Sequence, residues 1–341
     1  MTLDGCEILG SEKCPRSNFA GVQWDRIGYG MSQSSSCPAG STGTAYRECT
    51  QLGWGKADLS HCLSDQFHEL NRFNQALDGL EGDRPVRKRR LTTVKAVALA
   101  EHLWLVLEDQ SETQNLHGAD VKVTYDVILK NLIFQNQQNG YDLSMSSDSS
   151  FSRNLLFSSG KLISFDTSKW AQIGPNASMD LLNAIANYAE TVASNLPNTH
   201  NAGFIAQYPP KGPKTGDFLS FRAVNGTSGH IRPSKDAEVF FDAQRLYRLN
   251  PRVKRAAAVF TSRRMGELLP LRFAPEKKGF KIPPHPIINS AIISIALYEN
   301  YTLLTAIPSS PILIRFALLE SVGRSRAQCV FWSKVYILIV V

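Results

Sequence analysis

The sequence predicts a multidomain α+β protein, in which a small disulfide-rich module precedes a helical bundle and then a twisted β-sandwich. Three observations support this order. Five of the six cysteines, at positions 6, 14, 37, 49 and 62, lie at the N-terminal end. Apolar residues then recur every three or four positions as far as Pro197. After Pro197 they alternate with a period of two, which is typical of strands.

The composition is that of a globular protein. The chain has 341 residues, enough for two or three domains. Apolar residues make up 43% and charged residues 20%, which excludes wholesale disorder, collagen-like repeats and coiled coil. The longest apolar run, residues 335–341, is too short to span a bilayer. Residues 1–10 include Asp4 and Glu7, so we expect no signal peptide there.

The positive charge is local. The net charge is +7, and the excess lies in two short segments, residues 83–90 and 245–255. Neither segment combines a basic groove with aromatic readers, so no nucleic-acid partner is predicted. Both fit the Arg-x-Lys/Arg-Arg pattern of secretory convertases, ending at Arg90 and Arg255. Solvated loops are the favoured interpretation of both segments.

The cysteine spacing favours disulfides over zinc. The five N-terminal cysteines are separated by 8, 23, 12 and 13 positions, and His61 is the only adjacent histidine. A module of about 50 residues buries too little apolar surface to fold without covalent help. We therefore expect a disulfide framework formed in an oxidising compartment, within an internal piece of a longer secreted or membrane protein.

Apolar periodicity places the helices and strands. Helices are predicted at three stripes: Val94, Val97, Ala100, Leu103, Trp104 and Leu107; Val121, Tyr125, Ile128, Leu129, Leu132 and Ile133; and Leu181, Ile185, Tyr188, Val192 and Leu196. Strands are predicted at residues 293–297 and 312–318. Between Lys211 and Arg255 the polar, basic sequence predicts a flexible excursion. His102 is interpreted as structural, and no catalytic triad, metal site or cofactor is predicted.

Fixed positions around the cysteines point to a family. They are Cys14-Pro15, Trp24, Cys37-Pro38-Ala39-Gly40, Gly43, Cys49, Gly53-Trp54, Asp58-Leu59 and Cys62. This order closely resembles the hormone-receptor domain of adhesion-type seven-helix receptors. Five further segments resemble the flamingo (starry night) cadherin, EGF and laminin-G seven-pass receptors: residues 5–8, 265–270, 286–290, 316–320 and 329–332.

The resemblance implies a division into domains. Residues 1–11 would be a remnant of a laminin-type EGF module, and residues 12–64 the hormone-receptor domain. Residues 65–200 would form the helical subdomain A of a GAIN domain. Residues 201–332 would form an incomplete β subdomain B with a truncated GPS motif, followed by an unrelated apolar tail at 333–341.

The resemblance also implies roles for single residues. Cys14 would pair with Cys49 and Cys37 with Cys62, which leaves Cys6 and Cys329 unpaired. The module core would contain Trp24, Trp54 and Gly43, and a ligand-contact role for the two tryptophans carries equal weight. Glycosylation sequons begin at Asn176, Asn225 and Asn300, and they matter only in the secretory pathway.

The implied function is not enzymatic. Family members cleave themselves at a His-Leu-Ser/Thr tripeptide, where the histidine assists a hydroxyl attack on the preceding carbonyl. Only His102 precedes a leucine here, and Trp104 follows, so no cleavage is expected. The resemblance implies an extracellular region at the plasma membrane, serving adhesion, planar cell polarity and neuronal development. Its parent receptor would supply a cadherin, EGF and laminin-G ectodomain and a seven-helix domain. The alternative is a module that captures an extracellular protein or peptide ligand.

Overall fold

The computed structural model describes residues 13–81, 84–85, 92–109, 116–136, 142–196, 203–209, 218–225, 229–241, 254–269, 287–300, 302–304, 312–319, 329–332 and 337–340. Helices and antiparallel sheets are both present, which confirms the predicted α+β class. The chain divides into two compact units. The first comprises residues 1–90 and 109–124, and the second comprises residues 91–108 and 125–341.

Short antiparallel strands build the N-terminal module of the first unit. They are β1 (Lys13–Cys14), β2 (Ser17–Phe19), β3 (Val22–Trp24), β4 (Ile27–Gly28), β5 (Ser32–Ser36), β6 (Ser41–Thr42), β7 (Thr44–Thr50), β8 (Gly53–Trp54) and β9 (Leu63–Ser64). The strands pair as β1-β4, β2-β3, β5-β7-β8 and β6-β9. Along β7 the buried side chains alternate with exposed ones, so Ala45, Arg47 and Cys49 all face inward.

A short helix follows the module. A 3₁₀ turn, Asp65–Phe67, leads into α1 (His68–Asp78), which buries Leu70 and Asn74. The helix ends at Gly79, whose φ of 80° is the left-handed conformation that favours glycine at a C-terminal cap. A two-stranded ladder of β10 (Leu80–Glu81) and β11 (Arg84–Pro85) comes next.

The predicted helical stripes correspond to three of the helices. The helices are α2 (Thr93–Asp109), α3 (Gly118–Asn136), α4 (Ser146–Ile163), α5 (Thr167–Trp170) and α6 (Ala177–Ser194). The stripes in α2 and α3 are confirmed as helical, and the third is confirmed except for Leu196, because α6 ends at Ser194. Val94 is nevertheless 79% exposed and Ile133 53% exposed. The sequence did not predict α4, because its serines obscure the apolar spacing of the buried Phe151, Leu155 and Leu156.

Two antiparallel sheets lie in the C-terminal part of the second unit. The first has the order β12 (Gly203–Tyr208), β13 (Leu219–Asn225), β16 (Arg255–Ser262), β17 (Ile292–Glu299) and β18 (Thr302–Leu303). The second has the order β14 (His230–Ser234), β15 (Ala237–Phe240) and β19 (Leu313–Phe316). Both sheets contribute to one buried cluster of Ile231, Val239, Ala257, Val259 and Leu297. A short helix, α7 (Met265–Leu268), follows β16, and a hairpin of β20 (Cys329–Trp332) and β21 (Ile337–Val340) ends the described chain.

The predicted flexible excursion between Lys211 and Arg255 is wrong for the described residues. Strands β13, β14 and β15 all lie within it. The inward side chains of β13, Phe221 and Ala223, are fully buried although the surrounding sequence is polar. The predicted strand at 312–318 is shorter than expected, and its apolar residue Leu318 is 52% exposed. No described helix combines the length and apolar character needed to cross a membrane.

Candidate functional site

Two disulfides cross-link the N-terminal module. Cys14 pairs with Cys49 and Cys37 with Cys62, at Cα–Cα distances of 5.8 and 5.7 Å. These are the pairs that the family resemblance implies. The bridges close loops with sequence separations of 35 and 25 residues. On the chain-entropy model each contributes about 3.5 to 4 kcal/mol to the stability of the module.

Both module tryptophans are held by the module itself. Trp24 is completely buried and packs with Val22 and Ala45. Its indole N–H donates to the Phe19 carbonyl at 3.2 Å. Trp54 is half-buried, and its ring centroid lies 6.1 Å from that of Trp24. The Trp54 N–H donates to a main-chain carbonyl, that of residue 15, at 2.6 Å.

An arginine that the sequence analysis did not single out lies among the aromatic rings. The Arg47 guanidinium carbon lies 4.5 Å from the ring centroid of Phe19, 5.0 Å from Trp54 and 5.8 Å from Trp24. Arg47 is only 8% exposed. Cation–π attraction strengthens when the cation is shielded from water, so this arrangement stabilises the buried charge.

Hydrogen bonds complete the surroundings of Arg47. Its Nε donates to the Gly55 carbonyl at 2.8 Å, and Nη1 donates to the Ser17 hydroxyl at 3.1 Å. Burial lowers the pKa of the guanidinium from its ordinary value. The signal that would have found this residue is the alternation along β7, which places Arg47 on the same face as Ala45 and Cys49.

Gly43 lies where no side chain fits. Its φ is +119°, a conformation that L residues rarely adopt. A Cβ on Gly43 would lie 2.2 Å from the His61 carbonyl oxygen and 3.4 Å from the Cys37 sulfur. The module therefore requires glycine here so that two backbone segments can meet beside the second disulfide.

A buried carboxylate fastens the end of the module. Asp120, near the start of α3, is completely buried. Its Oδ1 accepts the Ser64 backbone N–H at 2.8 Å, and its Oδ2 accepts the Ser64 hydroxyl at 2.7 Å. Oδ2 also accepts the backbone N–H of His117 at 2.8 Å, as an acidic residue does in a capping box. No sequence pattern indicates the bond to Ser64, because the two residues are 56 positions apart.

The remaining predicted residues are dispersed. Asn176 is exposed before α6, Asn225 is half-buried at the end of β13, and Asn300 is exposed in the turn after β17 with a φ of 47°. Cys6 lies outside the described residues, as does the side chain of Cys329, which begins β20. His102 is half-buried in α2.

Arg90 and Arg255 end the two basic segments. Arg90 lies outside the described residues. The solvated-loop interpretation is wrong for Arg255, which begins β16, is 8% exposed and forms an ion pair with Glu299 at 2.7 Å. A basic residue can be buried when an acidic partner neutralises its charge. For Arg255 that partner is Glu299, which only the pairing of β16 with β17 brings opposite it.

Within the described ranges, no three His, Cys, Asp or Glu side chains are grouped so that they could hold a metal ion. The arrangement provides a module cross-linked by two disulfides, in which both indole N–H groups and the Arg47 Nε donate to main-chain carbonyls.

Comparison with known proteins identifies two domains. The family model of the hormone receptor domain matches residues 11–65, and that of GAIN subdomain B matches residues 216–335. The chain is 30% identical to the human cadherin EGF LAG seven-pass G-type receptor 3, and the alignment covers 98% of this chain. It is 28% identical to the human receptor 2 and 26% identical to the mouse receptor 1, again over 98% of this chain.

The chain spans only a small part of these relatives. It covers 11% of the human receptor 3 and 12% of the human receptor 2 and mouse receptor 1. The relatives are named as receptors and not as enzymes. The family predicted from the sequence is thereby confirmed: this chain carries a hormone receptor domain and a GAIN subdomain B, and over nearly its whole length it is similar to the flamingo-type cadherin EGF LAG seven-pass receptors.

Proposed function

We propose that this chain is the extracellular juxtamembrane region of a flamingo-like adhesion G-protein-coupled receptor. The observation that carries the proposal is the order of the two matched domains, at residues 11–65 and 216–335, within one chain similar throughout to seven-pass receptors. In that receptor it would serve cell–cell adhesion, planar cell polarity and neuronal development at the plasma membrane. Its covalent partners would be the cadherin, EGF and laminin-G ectodomain and the seven-helix domain.

The domain limits are part of the proposal. Residues 12–64 would be the hormone receptor domain, residues 65–200 the helical GAIN subdomain A, and residues 201–332 the β subdomain B. Support comes from the helices that follow the cross-linked module and from the cluster shared by two antiparallel sheets. The role we propose is mechanical coupling within the parent receptor.

The test is the location of the protein in cells that express it naturally. Antibodies raised against the purified 341-residue chain are applied to live cells and, as the control, to permeabilised cells. We expect labelling of live cells, concentrated at contacts between neighbours. Labelling that requires permeabilisation would contradict the proposal, because an extracellular region is accessible without it.

The alternative is that the module captures a peptide. One observation favours it: Met31 is 57% exposed and Leu52 is fully exposed, so a peptide could contact both side chains without displacing a buried one. The double substitution Met31→Ser and Leu52→Ser distinguishes the two roles by its effect on the signalling output of the full receptor. A mechanical role leaves the signalling output of the full receptor unchanged, since neither side chain supports the core. Peptide capture predicts a lower output at unchanged surface expression.

A further inference from the structure

We propose that Asn176 carries an N-linked glycan in the folded protein and that Asn225 does not. The proposal rests on the proposed function, because only a chain that enters the secretory pathway meets the oligosaccharide transferase. Both residues begin an Asn-x-Ser/Thr sequon, so the sequence alone treats them alike. Their surroundings in the fold distinguish them.

Asn176 can hold a large substituent without losing an interaction. It is exposed and precedes α6 as the N-terminal cap residue, but its side chain makes no capping hydrogen bond to the described backbone of that helix. Pro175, before it, is exposed as well. A sugar on the Asn176 amide nitrogen therefore enters solvent and displaces no internal contact.

The other two residues of this sequon are buried in the folded state. Ala177 and Ser178 are each 5% exposed, and the Ser178 hydroxyl donates to the Leu268 carbonyl at 2.8 Å. The transferase recognises the sequon hydroxyl, so transfer to Asn176 must precede folding. In that step Nδ2 forms a bond to C1 of a lipid-diphosphate-linked oligosaccharide. The C1–O bond to the diphosphate breaks, and Nδ2 loses a proton to the transferase.

A glycan on Asn225, unlike one on Asn176, could not extend directly into solvent. Asn225 is half-buried at the end of β13, opposite Ala256 of β16. It lines a narrow cleft together with Leu196, Arg255 and Tyr298, and Tyr298 is only 3% exposed. A hydrated oligosaccharide on Asn225 would have to open this cleft, so chains modified there fold poorly and are lost from the secreted monomer.

The experiment uses the full chain behind an added signal peptide, expressed in a mammalian secretory host. The secreted monomer is treated with peptide N-glycosidase in H₂¹⁸O, which converts each glycosylated asparagine to labelled aspartate, and the peptides are identified by mass spectrometry. We expect label at position 176 and none at position 225. Asn176→Gln should reduce the intact mass by one glycan, and the matched variant Asn225→Gln should leave it unchanged.

The two possible failures are separable. Label at Asn225, or a monomer unlabelled at Asn176, would overturn this inference. Because the added signal peptide forces entry into the secretory pathway, neither result bears on the proposed function. That proposal is decided by the live-cell labelling of the natural protein. Elution of Asn176→Gln as a monomer on size exclusion would exclude misfolding as the cause of a lost glycan.

Discussion

Replacing Gly43 with alanine tests how the module closes around its second disulfide. The new methyl group would lie 2.2 Å from the His61 carbonyl oxygen. That oxygen cannot swing away as the tip of a side chain would, because the next residue, Cys62, is bonded to Cys37. The N–H of Cys37 also donates to the Gly43 carbonyl at 3.3 Å, so movement of residue 43 would disturb the same bridge from its other side.

The expected loss is large for so small a module. Holding alanine at a φ of +119° is strained, which costs about 1 to 3 kcal/mol. Overpacking against a fixed backbone atom adds about 1 to 3 kcal/mol. A core of this size rarely supplies more than about 3 to 5 kcal/mol, so the variant approaches unfolding. Gly40 is the matched control: its φ is +80°, but a methyl group added there would meet nothing within 4 Å, so Gly40→Ala should lose only about 1 to 2 kcal/mol.

Hydrogen exchange of the secreted full chain measures the difference. We expect backbone amides of β7 to lose protection by a factor of about 5 to 30 in Gly40→Ala, and by well over that factor in Gly43→Ala. Peptides from α6 serve as an internal reference, because that helix belongs to the other unit. Equal losses in the two variants would refute the reasoning, since they would show that the contact with His61 adds nothing to the strain of a positive φ.

Three further predictions concern buried ionisable groups and are checked by urea midpoints of the full chain. Asp120→Asn removes a charged acceptor of three hydrogen bonds and should destabilise by about 1 to 3 kcal/mol. Asp25→Asn, which breaks an exposed ion pair, should change stability by less than about 1 kcal/mol. Arg47→Met should destabilise the protein by about 2 to 3 kcal/mol, whereas Arg16→Met should have almost no effect. Equal effects would show that the aromatic rings and the hydrogen bonds around Arg47 do not stabilise the fold. Burial, reinforced by two nearby carboxylates, raises the pKa of Tyr125 from 10.0 to about 12. Its contribution is therefore present below pH 10 and lost as the pH rises towards 12, and Tyr125→Phe should flatten that alkaline decline.

Periodic apolar burial is the part of this fold that the sequence could reveal. The stripe of α6 was predicted because Leu181, Ile185 and Tyr188 recur at helical spacing and are all buried. The period of two in the sequence of β17 likewise identified a strand, although burial along it does not alternate, since the neighbouring Leu297 and Tyr298 are both buried. In both cases the signal lies within one element, so no knowledge of distant partners was needed.

The sequence could not reveal the polar residues that are buried by partners distant along the chain. Arg47 lies inside because three aromatic rings from other strands meet around it. Arg255 lies inside because strand pairing brings Glu299 to it from 44 positions away. A basic or polar composition predicts solvent exposure, and it fails wherever the partner comes from another element. The strands within the supposed excursion were missed for the same reason.

The interior of the module bears on the choice between mechanical coupling and peptide capture. A ligand that bound Trp24 and Trp54 would need either an unpaired hydrogen-bond donor on them or an exposed face of an indole ring. Instead, the N–H of Trp24 is used by the Phe19 carbonyl, the N–H of Trp54 by another main-chain carbonyl, and the Nε of Arg47 by a third. Displacing the bond of Trp24 or of Arg47, both of which are buried, would leave a donor unpaired at a cost of about 1 to 3 kcal/mol each. A peptide would therefore be restricted to the surface around the exposed Leu52. A mechanical force on the module, in contrast, acts on a core that is held by two disulfides and by the contacts of Arg47 with the aromatic rings.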